Sequence, residues 1–433
     1  MMMRVRAGFT VIAMLAVMGL AGCGHYICSA GFGSSTCTSS GPPSLGGGGG
    51  TSNVATAYVY AIDQAGSIDS YTLNTTAGTF AATPSYTGPE VPTNNGGVGM
   101  VVAQEQYVYA GFGSIGQLYG WTIDSTTGAL TAISGSPYSA PFLANYGVGV
   151  GQGNMITNPA GTMLFISDTT QSGIYAYTIG AGGVLTLVTG SPFAVPFEPM
   201  NLATDGLGKY LYAINGNFDT HTGSEIAAFA INNGTTSPGA LTPVVGSPFI
   251  TAGNANYSMW QLAGEPTGNF LIGASGRSAV YSGSDDDHLY VFSITQSGAS
   301  AGAITPVGTP VVTAYSPFSI AMQSNTGGSL LYSFSFNDTA TGFNGVEGYE
   351  ISSTGALTAV AGSPFSNVAE GTWGQFDQSG AYLFVWGTFF DEGSNAQVTQ
   401  LGPNDVGSGG LLTEPIPLLT LPNSGFWVVT DPQ

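Results

Sequence analysis

Two histidines, His221 and His288, and one arginine, Arg277, fall in two neighbouring polar stretches of a chain that is otherwise poor in cations. Glu225 follows His221 by four residues, and Asp287 directly precedes His288. An imidazole can take a proton from water, a carboxylate can orient that imidazole, and a guanidinium can hold a developing oxyanion. These roles fit hydrolysis of an ester or lactone. His221 or His288 would be the base, Glu225 or Asp287 its partner, and Arg277 the oxyanion clamp. No fixed spacing ties the five together, so the plainer alternative, polar residues populating long solvated loops, stays open.

The run Asp285-Asp286-Asp287-His288 also raises the question of a metal. Carboxylates suit calcium and an imidazole favours a transition metal. Consecutive side chains on an extended segment point in opposite directions, however, so the four do not converge. No EF-hand spacing or His-x-x-x-His pair supports them, and neither a metal nor a cofactor is expected.

A second group emerges once the elements are aligned. A short phrase, glycine then two small or apolar residues then threonine, recurs at Gly128, Gly183, Gly239, Gly302, Gly355 and Gly410, with a weaker copy at Gly78. Successive copies are 50 to 63 residues apart, and many lead into Gly-Ser-Pro-Phe. A fixed period of that size means one supersecondary unit stacked on copies of itself.

Each unit reads as four short strands, A to D from the centre outward, bounded by Gly, Asn, Ser and Pro. Strand B is apolar and aromatic, as in Tyr58-Val59-Tyr60, Tyr107-Val108-Tyr109 and Tyr210-Leu211-Tyr212. Strand C carries an aromatic two residues before an aliphatic, as in Trp121/Ile123 and Phe229/Ile231, with Thr399/Leu401 as the departing last copy. Strand A precedes B across an Asx-Pro or Asx-Gly turn, as at Asn158-Pro159 and Asp205-Gly206. Aligning the A copies puts Met100, Asn154, Asn201, Gln261, Ser319, Trp373 and Trp427 at corresponding positions. The amides, the hydroxyl and the two indoles of this set could bind a neutral polar ligand such as a sugar. They could equally satisfy channel backbone and fill the taper. Trp260, next to Gln261, is expected on the opposite side.

These counts predict an all-β, seven-bladed β-propeller with four-stranded blades over residues 55–433. The ordered part begins in a strand B near Ala57 and ends with an A-like segment, Phe426 to Pro432. The carboxyl-terminal strand is therefore expected to complete the first blade, a closure that removes free sheet edges.

Composition narrows the partners. The chain has 4 Lys+Arg against 24 Asp+Glu. Two of those cations, Arg4 and Arg6, precede an apolar run from Phe9 to Leu20 that is too short to span a bilayer. Leu20-Ala21-Gly22-Cys23 then resembles the bacterial lipobox, so residues 1–22 read as a signal peptide and Cys23 as the lipidated residue. Residues 23–54 read as a lipidated cysteine and a Gly/Ser/Pro-rich tether, in which Cys28 and Cys37 are open to pairing or to remaining free thiols. The expected location is extracytoplasmic, in the cell envelope at the outer membrane or cell surface, with the lipid as the only membrane contact. The acidic domain repels nucleic acid. A monomer is expected.

The run Tyr-Leu-Tyr-Ala-Ile-Asn (210–215), then an aromatic strand, Gly-Ala-Leu-Thr and Gly-Ser-Pro-Phe, resembles the seven-bladed lactonase-type propellers. That family is named for 6-phosphogluconolactonase and includes muconate-lactonising relatives and YVTN-repeat proteins. The resemblance implies a hydrolase of lactones, with ligands at one mouth of the central channel, but no catalytic motif of the family surrounds the polar loops. Phosphorylated sugar acids usually need several Arg or Lys contacts. Only Arg277 and Lys209 remain in the domain, and Lys209 belongs to a tight A–B turn on the face opposite the polar loops. Genuine 6-phosphogluconolactone hydrolysis is therefore not expected. Two readings follow: a lactonase-like propeller hydrolysing or binding a neutral or weakly charged lactone or sugar-like molecule, or a non-catalytic surface propeller binding glycan or protein through its loop face.

Overall fold

The computed structural model describes most of residues 56–430. Residues 1–55, 64–67, 75–78, 82–85, 88–97, 146–153, 169–170, 216–224, 251–258, 277–286, 326–327, 336–344, 366–370, 392–395, 414–418, 422–423 and 431–433 lie outside the described residues. The segments expected to be a signal peptide and a tether, residues 1–22 and 23–54 with Cys23, lie among them, as do His221 and Arg277.

The molecule is an all-β β-propeller built on four-stranded antiparallel blades. In a representative sheet, Met155–Thr157, Met163–Asp168, Gly173–Ile179 and Leu185–Leu187 pair in chain order, with Leu164 opposite Tyr177. A short fifth strand, Phe193–Ala194, then returns to pair with the free half of the third. Six sheets are five-stranded in this way. The sheet built on Pro317–Asn325, Gly328–Ser335, Val346–Ile351 and Leu357–Ala359 has four strands, its fifth reduced to a single bridge between Val346 and Phe365.

Second strands such as Tyr107–Phe112 are buried at every residue. They read as continuous apolar runs because both of their faces are covered by neighbouring sheets. Apolar layers fill each such gap: Tyr212 and Ile214 pack with Leu271 and Phe292, and Tyr71 and Leu73 pack with Tyr382 and Phe384. The inner strands Gly99–Ala103, Met155–Thr157, Pro199–Thr204, Met259–Gly264, Pro317–Asn325, Trp373–Phe376 and Ser424–Thr430 each lie against the next, and the last lies against the first. Ser424–Thr430 also pairs antiparallel with Thr56–Asp63, with Val429 opposite Val59.

The recurring phrases now have causes. The leading glycines hold positive φ, +71° at Gly128 and +90° at Gly302, in the region that favours glycine. A Cβ on Gly302 would come within 2.5 Å of the Tyr210 ring of the preceding sheet. The third residue of that same Tyr-Leu-Tyr run completes the joint, since the Tyr212 hydroxyl donates to the Gly302 carbonyl at 3.1 Å. Tyr60 does the same to Gly128 at 2.8 Å, as do Tyr109 to Gly183 and Tyr332 to Gly410. In Gly-Ser-Pro-Phe the serine hydroxyl accepts the one third-strand N–H left over between strands four and five. Ser247 takes that of Ala228 at 2.9 Å, and Ser363 that of Gly348 at 3.0 Å.

Register corrects the sequence alignment at three places. In the last sheet Leu383 lies opposite Asn404, so Asn404 and Val406, not Thr399 and Leu401, hold the aromatic and aliphatic slots. Asn404 is buried and donates to the Leu383 carbonyl at 3.3 Å, which lets an amide replace a ring there. The other two places are Met100 and Trp427. Met100 pairs with Ala110 and Trp427 with Ala61, whereas Gly99 and Phe426 lie opposite the penultimate residues of their second strands.

Candidate functional site

The starts of the inner strands pair with the ends of the second strands, which brings them to the side of the loops between strands two and three. Three successive inner strands carry a bulge there, between Pro199 and Asn201, Met259 and Gln261, and Pro317 and Ser319. A bulge inserts one residue and re-aims its side chain. The inserted residues of the latter two are Trp260 and Phe318. Their ring centroids are 5.2 Å apart, and Phe318 meets Trp373 of the next sheet edge-on, also at 5.2 Å. All three rings are half-buried. Trp260 is anchored by its Nε1–H donating to the Gly276 carbonyl at 2.9 Å. Gly276 itself presses on the next inner strand, where a Cβ would lie 2.5 Å from the Pro317 carbonyl oxygen. Arg277 follows in sequence but lies outside the described residues. Sequence alternation singled out Trp373 and set Trp260 apart; the bulge is the reason the two belong to one row.

The polar members of the inner-strand set divide. Asn201 Oδ1 accepts from the Leu262 N–H at 3.0 Å, and Gln261 Oε1 from the Ile320 N–H at 2.6 Å. The Ser319 hydroxyl donates to the Thr372 carbonyl. Each therefore ties its strand to the backbone at the start of the following sheet, so these three groups are engaged by neighbouring main chain. Asn154 is different: it is 2% exposed, and neither its Oδ1 nor its Nδ2 has a partner. Trp427 lies in the strand that pairs with Thr56–Asp63.

Of the proposed hydrolytic group, Glu225 and His288 open the third strands of adjacent sheets at matching register, opposite Ile250 and Val312 of the short fifth strands. The imidazole of His288 lies 6.2 Å from the Tyr290 ring. Asp287 accepts from the Thr313 N–H through its main-chain carbonyl at 2.9 Å. The Thr313 hydroxyl is buried and unpartnered. Two residues on, the Tyr315 N–H donates to Glu347 Oε1 at 2.9 Å, and the Tyr349 hydroxyl donates to Glu347 Oε2 at 2.6 Å. Burial first, then this bond to Glu347, pushes the Tyr349 phenol above its ordinary range. Segment 313–315 thus links Asp287 of one sheet to Glu347 of the next. Sequence reading missed Glu347, although an acid inside the run Val346-Glu347-Gly348-Tyr349 was a visible signal of a buried, partnered carboxylate. Among the described residues no three His, Cys, Asp or Glu side chains converge as metal ligands.

No protein-family model and no curated protein matches this sequence. Solved structures do. A candidate 6-phosphogluconolactonase from Bacteroides fragilis superposes with a TM-score of 0.59 at 16% identity, over 89% of this chain and 100% of that one. The periplasmic gluconolactonase of Pseudomonas aeruginosa gives 0.57 at 14% identity, over 87% and 100%. A protein from Lactobacillus plantarum gives 0.57 at 15%, over 86% and 98%. At such identities the likeness is one of fold, and the chain shares the β-propeller architecture of these proteins.

Proposed function

We propose that the chain is a lipid-anchored, extracytoplasmic, lactonase-like propeller of seven blades, closed by its carboxyl-terminal strand, that takes a neutral or weakly charged sugar-like lactone at the loop-side mouth of its channel. The observation that carries this reading is the row Trp260, Phe318 and Trp373. Half-buried aromatic faces clustered at the loop-side starts of the inner strands suit an uncharged ring that offers C–H surface to stack and hydroxyls to bond. The shortage of cations argues in the same direction, away from phosphorylated acids. Support for the count and closure comes from six five-stranded sheets, one four-stranded sheet, and the pairing of Ser424–Thr430 with Thr56–Asp63. Support for a lactone comes from the fold shared with the gluconolactonase structure.

In this reading His288 is the base, Asp287 or Glu225 orients it, and Arg277 steadies the oxyanion, with His221 as the alternative base. The test is hydrolysis of a panel of neutral lactones, followed by pH titration of released acid. His288→Ala and Arg277→Ala are expected to lower kcat at least 100-fold, and Trp373→Ala to raise KM about 10-fold, by analogy with the loss of a general base or oxyanion donor. Equal rates for wild type and all three variants would end the catalytic proposal. The same ring row favours a second reading, a glycan-binding surface module without catalysis. Glycan-array binding that vanishes in Trp373→Ala, with no lactone turnover, would select it. Radiolabelled palmitate incorporation that disappears in Cys23→Ala tests the anchor.

A further inference from the structure

One register position on the inner strands does the same work in three successive sheets. Asn201, Gln261 and Ser319 lie opposite Ile214, Ala274 and Phe334, the penultimate residues of their second strands. Each directly follows a bulge, and each reaches the backbone at the start of the following sheet. Asn154 stands at that position in the preceding sheet, since its carbonyl accepts from the N–H of Ser167, the penultimate residue of Met163–Asp168. The described inner strand that follows Asn154, Met155–Thr157, pairs with Met163–Asp168 in regular register. The equivalent tie to the strand Pro199–Thr204 is not made, and the amide is left with a buried donor and a buried acceptor, both unpaired. Native structures rarely leave one such atom without a partner, and a side chain with two calls for a water, an ion or a ligand to satisfy it.

We infer that Asn154 is a ligand-reading amide at the channel mouth, its Oδ1 accepting from and its Nδ2 donating to a neutral molecule that carries a hydroxyl beside a carbonyl or a second hydroxyl. The inference rests on the mouth-binding reading above and is independent of whether the ligand is hydrolysed. Neutrality follows from the partner: an amide offers N–H donors and a carbonyl acceptor with no net charge, and no cation of the described inner strands stands by to balance an anion. The gap also lies at the start of the tied arc: from Asn201 three side chains link successive sheets as far as Thr372, beside the aromatic row, and of the four the amide of Asn154 alone is left to take an added hydrogen-bonding partner.

The experiment titrates the full chain by calorimetry with D-glucono-1,5-lactone, D-glucose and D-gluconate as probes. Wild type is expected to bind at least one neutral probe more tightly than gluconate. Asn154→Ala and Asn154→Asp, the latter similar in shape but lacking the donor, are each expected to weaken that probe at least 10-fold. Unchanged affinity in both variants, alongside a loss in Trp373→Ala, would overturn the inference while leaving the mouth reading intact. If wild type binds none of the probes, the mouth reading fails, and ligand-free melting of Asn154→Leu decides the inference. A raised Tm means that the amide awaits an outside partner. A lowered Tm means that a built-in water already satisfies it, which overturns the inference.

Discussion

Asp377 is a buried carboxylate at the tight turn between the first two strands of its sheet, 4% exposed, with Oδ1 accepting from the Tyr382 N–H at 2.8 Å. Burial outweighs its hydrogen bonds and pushes its pKa up to about 6 from an ordinary 3.8. A raised acid binds its proton more tightly folded than unfolded, so stability falls as pH rises from about 4 to about 6 and stays reduced above that. Asn158 fills the same turn role elsewhere, its Oδ1 accepting from the Thr162 and Met163 N–H groups at 2.8 and 2.9 Å. Asp377→Asn should therefore keep the turn and remove the penalty. Thermal melts of the two proteins should nearly coincide at pH 4 and diverge by about 2–3 kcal/mol in favour of the variant at pH 7, from a shift of about two pKa units. Parallel curves would reject this account. The capping role of Asn158 and Asp205 was readable in the sequence, because Asx beside Pro or Gly announces its turn. The pairing of Glu347 with Tyr315 and Tyr349 was not, because it joins loop and strand across a gap that no local pattern encodes.

Between sheets the decisive contact is the joint of a glycine with the paired tyrosines of the preceding sheet. Gly302 and Gly298 make a matched test, because both hold a φ near +90°, yet a Cβ on Gly298 would meet nothing within 4 Å. Gly298→Ala should cost about 1 kcal/mol for conformation alone. Gly302→Ala must also displace the Tyr210 ring, and should cost about 2–4 kcal/mol in urea melts. Tyr212→Phe, which loses only the hydroxyl bond to the Gly302 carbonyl, should cost about 1 kcal/mol. Equal losses for the two glycines would mean that the clash does not matter. The elements themselves were legible because their period repeats. What escaped was register: the last third strand, Ala396–Val406, is eleven residues long, and its hairpin sets Asn404 rather than Thr399 against Leu383. A one-residue slip reverses every side chain, and hairpin geometry, not apolar pattern, fixes it. The same limit moved Met100 and Trp427 off the position to which alignment assigned them, and hid the bulges that bring Trp260 and Phe318 into line with Trp373.

At the scale of the whole molecule, apolar layers lie between every pair of neighbouring sheets, including Tyr382, Phe384 and Trp386 against Val59, Tyr71 and Leu73. The strand Ser424–Thr430 pairs with Thr56–Asp63, the second strand of the sheet that holds Val59. Removing residues 424–433 would strip the hydrogen-bonding partner from Tyr58 through Asp63. It would also withdraw the contacts that Ser424–Thr430 makes with Trp373–Phe376 and Gly99–Ala103. An aromatic, buried second strand such as Tyr58-Val59-Tyr60 would then become an open edge, the kind that templates pairing between chains. The few charges of the domain give little protection, since neither Lys nor Glu interrupts Thr56–Asp63. The truncated protein should melt at a lower temperature and elute as oligomers or aggregate in size-exclusion chromatography, more so as concentration rises. Substituting Val428→Lys in the full chain, opposite the buried Tyr60, should weaken the same joint without deleting it, and so give a partial version of the same behaviour. A truncated chain that stays monomeric with an unchanged Tm would mean that the fold is held by its face-to-face layers alone and that the terminal strand contributes no closure.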